Sequence, residues 1–193
     1  MPRTKCFKED EVLKKAMELF WKKGYHATSM QDLVDYLGIN RASLYDTFGG
    51  KKALFDKAFA LYKDSNTKLI KQFLVKEPNT KEGFLKLFTI AVQQSIADQE
   101  NKGCFVVNTA TEMLPSDNSL KNTLCANKAT FEDAFYQYLV KGEQEGQITK
   151  GKDLKAIAQM LFALYNGLKV IGKVQQEEAA LMPSVRMALS VLD

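Results

Sequence analysis

Histidine and cysteine are scarce in this chain of 193 residues. The sequence contains one histidine, His26, and three cysteines, Cys6, Cys104 and Cys125, which lie far apart. This spacing provides neither the paired cysteines of a disulfide framework nor the clustered ligands of a zinc site. We therefore expect no metal and no cofactor, and unpaired cysteines are typical of proteins in a reducing cytoplasm.

Proline and long apolar runs are also scarce. With only four prolines and few runs of β-branched residues, the sequence predicts an all-α fold class. No segment approaches the roughly 18 consecutive apolar residues of a transmembrane helix. The polar amino terminus also lacks the apolar segment of a secretory signal. The sequence thus predicts a cytoplasmic protein without a membrane partner.

Positive charge is in mild excess and is concentrated near the amino terminus. The formal net charge is +4, and the first 60 residues hold 11 Lys and Arg against 8 Asp and Glu. A surface that faces phosphate groups needs such an excess. The bias is small, and by itself it does not assign a function.

The most organised pattern lies between residues 28 and 55. Thr28, with Gln31 three residues later, predicts a capping box at the start of a helix. Gly38 predicts the end of that helix, and Asn40 the cap of a second, short one. Two short helices around a glycine turn form a helix-turn-helix, whose second helix enters the major groove of DNA. The alternative is an ordinary helical corner with a solvated face. The apolar positions at helical spacing are Leu33, Val34, Leu37, Leu44 and Phe48.

This stretch resembles the DNA-binding domain of the TetR family of bacterial transcriptional repressors. The resemblance covers roughly residues 9–59, and the rest of the chain matches only in helical character and length. It implies a three-helix helix-turn-helix domain over residues 1–55 and a helical ligand-binding and dimerisation domain over residues 56–193. The residues that carry the resemblance are Ala16, Leu19, Phe20, Gly24, Tyr25, Thr28, Leu33, Val34, Leu37, Gly38, Ile39, Ser43, Leu44, Tyr45, Phe48, Lys51, Leu54 and Phe55.

The resemblance also implies which residues contact DNA. Thr28, Tyr45 and Lys51 match positions that touch phosphate, which hydroxyl, phenol and ammonium groups near helix starts can do. Arg41 is expected either to bind a guanine with two hydrogen bonds or to bind a phosphate. Asp46 stands where the family often has His or Tyr, and its carboxylate makes the operator sequence unpredictable. The expected base or groove contacts are Asn40, Arg41, Ser43 and Thr47.

One short helix makes too few base contacts for tight, specific binding, so we expect a homodimer on a palindromic double-stranded DNA operator. The resemblance implies that the last two helices form the dimer surface. It further implies a repressor that a small-molecule effector releases by favouring a state that does not bind DNA. Our candidates for the dimer surface, each of which could instead belong to the subunit core, are Phe162, Tyr165, Leu168, Leu181 and Met187.

Cys104 is the sharpest candidate for sensing the effector. It follows Gly103 at a predicted helix start, with Lys102 beside it, and both the helix dipole and a nearby cation stabilise a thiolate. The Gly-Cys…Asn run resembles one branch of the family, which includes regulators that respond to electrophiles or oxidants through a cysteine. The alternative is a buried, inert cysteine. The other residues expected to line an effector site, with core packing as their alternative, are Phe59, Tyr62, Phe88, Asn108 and Phe131.

The sequence shows no catalytic motif. The sequence has no glycine-rich phosphate loop, nucleophile elbow, metal-ligand cluster or acid–base pair, so we expect no enzyme. The resemblance places the protein in the bacterial cytoplasm, associated with the nucleoid. The alternative function is a helical small-molecule-binding protein or enzyme in which the helix-turn-helix is only structural.

Overall fold

The structure is a computed structural model that describes residues 7–193. These residues form α-helices joined by turns and loops, without a β-strand. The predicted all-α fold class is confirmed, and Cys6 lies outside the described residues. Short 3-10 helices occupy Asn118–Leu120 and Ser190–Leu192. The α-helices are α1 (Glu9–Lys23), α2 (Met30–Leu37), α3 (Arg41–Phe48), α4 (Lys51–Lys76), α5 (Thr80–Ala97), α6 (Phe105–Met113), α7 (Lys121–Gln144), α8 (Leu154–Ile171) and α9 (Glu178–Leu189).

The chain divides into two compact units. Of the described residues, 7–65 and 105–120 form the first unit, and 66–104 and 121–193 form the second. The boundary predicted after residue 55 falls inside α4, a continuous helix of 26 residues that contributes to both units. The division therefore differs from the prediction in two ways, because it lies farther along α4 and because α6 joins the amino-terminal unit.

The cap of α2 differs by one residue from the prediction. Ser29, rather than Thr28, is the N-cap, and its hydroxyl oxygen accepts a hydrogen bond from the backbone N–H of Asp32 at 3.0 Å. The Asp32 carboxylate in turn accepts from the backbone N–H of Ser29 at 2.8 Å, which completes a capping box. Thr28 is fully buried, and its hydroxyl donates to the carbonyl oxygen of Gly24 at 2.5 Å. Gln31 instead donates to Asp35 at 2.8 Å.

The turn between α2 and α3 has the predicted form. Gly38 adopts the left-handed backbone, with φ of 68°, which favours glycine. The Asn40 side chain accepts from the backbone N–H of Ser43 at 2.8 Å and caps α3. Leu44 and Phe48 are buried, so the opposite side of α3 is left for solvent.

Aromatic side chains form the centre of the first unit. Phe105, the first residue of α6, makes edge-to-face contacts with Phe55, Phe59 and Tyr62, at centroid distances of 5.8, 5.5 and 5.5 Å. Phe55 also contacts Phe20 of α1 at 5.2 Å. Such pairs stabilise a core beyond the burial of their area. These contacts join α6 to α4 and explain why α6 belongs to the same unit as the helix-turn-helix, which precedes it by more than 50 residues.

The second unit is a helical bundle whose core includes residues of α5, α7, α8 and α9. Three of the five candidates for the dimer surface, Tyr165, Leu168 and Leu181, are buried in this core. Their assignment to a dimer surface is therefore wrong, because the apolar side on which they lie packs within the subunit. Phe162 is partly buried against the core, and Met187 is 74% exposed.

Among the described helices, α8 alone is long and apolar enough to cross a membrane by length and composition. Core helices of soluble proteins pass the same test. In this fold, Leu161 and Leu168 of α8 are buried in the bundle core, while Met160 and Val170 are exposed. The apolar character of α8 thus has two parts, a core side and an exposed stripe.

Candidate DNA interface and effector site

The outward side of α3 carries polar and aromatic groups. Arg41 and Asp46 are exposed, and the Tyr45 ring is 46% exposed. The Arg41 guanidinium lies 5.9 Å from the centroid of the Tyr45 ring, a distance at which a cation and a ring attract one another. Ser43 and Thr47 are half-buried beside them. This helix therefore presents several hydrogen-bonding groups that a DNA groove could meet.

Gly50 allows the Tyr45 ring to lie close to the start of α4. Gly50 has a φ of 114°, and a Cβ atom at this position would lie 3.1 Å from Cε1 of Tyr45. Ser, Asn or Asp, the common N-cap residues, would be strained at this positive φ, and their Cβ atom would crowd the Tyr45 ring. The glycine at this cap is thus explained by the packing of Tyr45.

Lys51 is the first residue of α4, and no acidic residue occupies the first turn of this helix. Its ammonium lies 4.4 Å from the centroid of the Tyr25 ring. Burial lowers the pKa of Lys51, against the opposing effect of the Glu112 and Asp32 carboxylates. A helix start that carries cations and unpaired backbone N–H groups is suited to a phosphate.

Six of the seven predicted DNA-contacting residues lie close together in the chain, on α3, its cap and the first residue of α4. Their contacts with DNA remain predictions. Thr28 is the exception, because its buried hydroxyl is bonded to Gly24 and offers no group to a phosphate in this structure. The six residues are Asn40, Arg41, Ser43, Tyr45, Thr47 and Lys51.

The predicted effector residues do not lie in one unit. Phe59, Tyr62 and Asn108 belong to the first unit, and Cys104, Phe88 and Phe131 to the second. Core packing was the alternative given for the phenylalanines, and all three are buried. Phe88 contacts Tyr165 with ring centroids 6.1 Å apart, and Phe131 contacts Phe162 at 5.8 Å. Helical spacing of aromatic residues does not by itself distinguish a ligand site from a core.

Cys104 is buried, with 4% of its surface exposed. The preceding Gly103 has a φ of 63°, and a Cβ atom there would lie 3.2 Å from the backbone oxygen of Lys169 in α8. The absence of a side chain therefore lets this segment pack against the end of α8. The cation predicted beside the thiol, Lys102, forms an ion pair with Glu100 at 3.3 Å instead.

Lys169 is the cation that the fold brings to Cys104, and sequence reasoning missed it. It is only 9% exposed, and its ammonium lies 4.8 Å from the centroid of the Tyr165 ring. Burial lowers the pKa of Lys169, but Tyr165 and Cys104 raise it by more, so the pKa lies above its ordinary value. Lys169 is 65 positions from Cys104 in a helix that is apolar overall, so no local pattern indicated the pairing.

A groove of about 350 Å³ lies between the end of α4 and the middle of α7 in the second unit. Its volume is in the range that small ligands occupy. Its lining residues come from two helices that are distant in sequence. They are Lys71, Leu74, Val75, Asp133, Ala134, Gln137, Tyr138 and Lys141.

Two protein-family models match the chain. The model for bacterial regulatory proteins of the tetR family matches residues 12–58, and the model for a tetracyclin repressor-like C-terminal domain matches residues 85–188. The matches cover the helix-turn-helix and most of the helical remainder. The resemblance found in the sequence is therefore confirmed, and it extends beyond the DNA-binding region.

Curated relatives and solved structures agree with these models. The HTH-type transcriptional regulator YezE of Bacillus subtilis is 34% identical over 194 residues, which is 100% of both chains. The HTH-type transcriptional repressor ComR of Escherichia coli is 31% identical over 87% of this chain and 80% of its own length. A cysteine-substituted TetR family regulator, CifR, complexed with a 26-base-pair operator DNA, superimposes with a TM-score of 0.87 at 27% identity, covering 99% of this chain and 100% of that one.

These relatives are transcriptional regulators rather than enzymes. The likeness includes both compact units, so it is not restricted to a helical corner that unrelated proteins share. The chain therefore belongs to the tetR family of bacterial regulatory proteins and is a DNA-binding transcriptional regulator.

Proposed function

We propose that the protein is a homodimeric repressor of the bacterial cytoplasm, associated with the nucleoid, which binds a palindromic operator and is released by a thiol-reactive effector. The observation that carries the DNA-binding part is the exposed side of α3, where Arg41 and Tyr45 stand together, followed directly by Lys51 at the start of α4. The sign of regulation is supported by ComR, which is a repressor, and the operator by CifR, whose structure contains operator DNA.

Fluorescence anisotropy with the DNA upstream of the protein's own gene tests the operator. We expect binding that resists an excess of unrelated duplex and weakens steeply with salt, because each neutralised phosphate releases counterions. Equal affinity for both duplexes at moderate salt would contradict binding to that DNA. A transcription assay with the same fragment then tests repression.

An exposed apolar stripe on α8 and α9 supports the homodimer. On α8, Met160 and Val170 are exposed, as is Val174 just after this helix. On α9, Met187 is exposed, as is Val191 in the 3-10 helix that follows. Apolar groups that lie together at a surface mark interaction sites. In a symmetric dimer the same stripe on each subunit would meet its copy, and two α3 helices would then be available for the two halves of a palindrome.

The Cys104–Lys169 pair supports a thiol-reactive effector. A thiolate is the reactive form of cysteine, and a neighbouring ammonium favours it. Lys169 is a buried cation at the end of α8, where its backbone oxygen adjoins Gly103, the residue before Cys104. Cys104 also directly precedes α6, which is part of the first unit. We propose that an adduct on its sulfur displaces the start of this helix and disfavours the DNA-binding state.

Treatment with N-ethylmaleimide tests this part of the proposal. The wild type should release its operator as the adduct forms, and Cys104→Ser should retain it under the same treatment. The matched control is Cys125→Ser, which removes an exposed cysteine and should behave as wild type. Mass spectrometry would locate the adduct. If the Cys104→Ser protein still released DNA, Cys104 would not be the sensor.

A further inference from the structure

The side chain of Glu112, on α6, binds the turn that connects α1 to α2. Its Oε2 atom accepts a hydrogen bond from the backbone N–H of Tyr25 at 3.1 Å, and its Oε1 atom accepts from the backbone N–H of His26 at 2.7 Å. Hydrogen bonds to a carboxylate are stronger than those between neutral groups. The turn that precedes the helix-turn-helix is thus held by a residue that follows it by more than 80 positions.

Gly24 makes room for this carboxylate. Its φ is 84°, and a Cβ atom at this position would lie 2.9 Å from Oε2 of Glu112. A side chain here would therefore push the carboxylate away, and the positive φ also disfavours residues other than glycine. The neighbouring N–H groups of the turn, those of Gly24 and Thr28, bond to backbone carbonyls of Phe20 and Tyr25. Glu112 complements this set by accepting from the N–H groups of Tyr25 and His26, two of the three residues between them.

The Tyr25 side chain connects the turn to the start of α4. Its ring packs against Phe20 and Phe55, with centroids 6.2 and 5.0 Å away. The Lys51 ammonium lies 4.4 Å from the centroid of the same ring. The carboxylate of Glu112 also acts on Lys51 through its charge. A shift of the turn would therefore move the group on which Lys51 rests.

Lys52, the residue after Lys51, also lies near a carboxylate, that of Asp117 in the segment after α6. Lys52 lies 3.7 Å from a carboxylate oxygen of Asp117, in addition to its pair with Asp56 at 2.6 Å. Residues 105–120 thus place one acidic side chain near each of the two lysines that begin α4. This arrangement is local to the first unit, to which all of these residues belong.

We propose that Glu112 is a positioning residue for DNA binding: by holding the turn between α1 and α2, it sets Tyr25 and so aims the Lys51 ammonium at a DNA phosphate. This inference rests on the proposed phosphate contact of Lys51. It assigns to α6 a part in DNA binding, although α6 lies outside the helix-turn-helix in sequence.

The sign of the effect separates positioning from simple electrostatics. DNA repels carboxylates, so removing an acidic side chain from a DNA-binding surface strengthens binding when charge alone matters. Loss of a positioning group has the opposite result. Glu112→Gln keeps the size of the side chain but removes its charge and leaves one oxygen where two accepted.

The experiment measures the dissociation constant of the full-length Glu112→Gln protein for operator DNA over a series of KCl concentrations. We expect weaker binding, by about tenfold at moderate salt, which corresponds to about 1.4 kcal/mol. We also expect the slope of log affinity against log salt to become shallower by up to about 0.9, the contribution of one phosphate contact. The slope compares the affinity of one protein sample at different salt concentrations, so the fraction of active protein cancels. A merely less stable variant would leave it unchanged.

Two further variants complete the design. Lys51→Met should reduce the slope by itself, and Glu112→Gln should change it no further in that background, because both act on the same contact. Asp35→Asn, which removes an exposed charge from α2, should bind DNA as well as or better than wild type. A Glu112→Gln protein that binds like wild type, or independent effects of Glu112→Gln and Lys51→Met, would overturn the inference. Failure of the wild type to bind the operator would instead overturn the proposed function.

Discussion

At the scale of single residues, neighbouring side chains of similar chemistry take different roles. Thr28 and Ser29 are both good helix caps, yet Ser29 caps α2 and Thr28 is buried. The difference arises because the Thr28 hydroxyl donates to Gly24, at the end of α1, and the Thr28 side chain is buried there. Asp32 completes the cap, and it also pairs with Lys23 of α1 at 2.7 Å. This corner is thus held by polar contacts that connect α1 and α2.

Ser29→Ala tests the assignment of the cap. Removing the hydroxyl should lower the free energy of unfolding by about 1 kcal/mol, since an N-cap serine replaced by alanine loses one hydrogen bond to the helix start. Gln31→Ala should have no effect on the cap, because Gln31 bonds to Asp35. Urea unfolding followed by circular dichroism checks both. A larger loss for Gln31→Ala than for Ser29→Ala would restore the cap predicted from sequence.

Asp32 should make stability depend on pH in acid. The hydrogen bond from Lys23 and those from Ser29 hold the pKa of Asp32 well below its ordinary value. A carboxylate with a lowered pKa binds fewer protons in the folded state than in the unfolded one, so it stabilises the fold above its unfolded pKa of about 4 and loses this effect as pH falls. Asp32→Asn should therefore lower Tm more at pH 7 than at pH 3. If the Tm difference between wild type and Asp32→Asn were the same at pH 7 and pH 3, the charge of Asp32 would not be involved.

At the scale of the elements, α6 differs most from expectation. The sequence predicted a short helix in this region but gave no indication that it packs with α4 and with the turn after α1. The contact depends on Phe105, which is buried among Phe55, Phe59 and Tyr62. An aromatic residue at a helix start has many possible partners, and only the folded chain selects among them.

Phe105→Ala should destabilise the first unit strongly. Replacing a buried phenylalanine by alanine typically costs roughly 3–5 kcal/mol through lost burial and the cavity that remains. Tyr136→Ala, on the exposed side of α7, is the matched control and should cost much less. In the Phe105→Ala protein, hydrogen exchange monitored by mass spectrometry should show faster amide exchange in α1, α2 and α3. Unchanged protection of these helices would mean that α6 does not stabilise the DNA-binding unit.

At the scale of the whole molecule, α8 has apolar residues on both sides. Leu161, Tyr165 and Leu168 face the core, while Met160 and Val170 are exposed. Periodicity cannot tell these sides apart, and for this reason three of the five residues assigned to the dimer surface were core residues. The exposed stripe on α8 and α9 replaces them in the proposed dimer.

Met187→Glu tests that dimer. Met187 is 74% exposed on α9, and in a symmetric interface each substitution places two like charges in an apolar contact. We expect the variant to elute as a monomer in size-exclusion chromatography with light scattering, and to bind operator DNA more weakly. Leu69→Glu, at a 66% exposed position of α4, should remain dimeric. An unchanged dimer for Met187→Glu would place the interface elsewhere.

The sequence by itself determined the features that depend on near neighbours in the chain. The helix-turn-helix, its Gly38 turn and its Asn40 cap follow from residues within a few positions of one another, because capping and helical periodicity are local. Membership of the tetR family follows from the same stretch. The residues available for contact with DNA, from Asn40 to Lys51, were for this reason largely predictable.

Only the tertiary structure decided which distant residues meet. It placed the Glu112 carboxylate on the turn at Tyr25, the end of α8 at Lys169 against Gly103, and one of the two apolar sides of α8 in the core. Each of these contacts joins residues far apart in sequence or selects between chemically similar surfaces. Such choices depend on how whole helices pack and exclude water, and no local pattern contains that information.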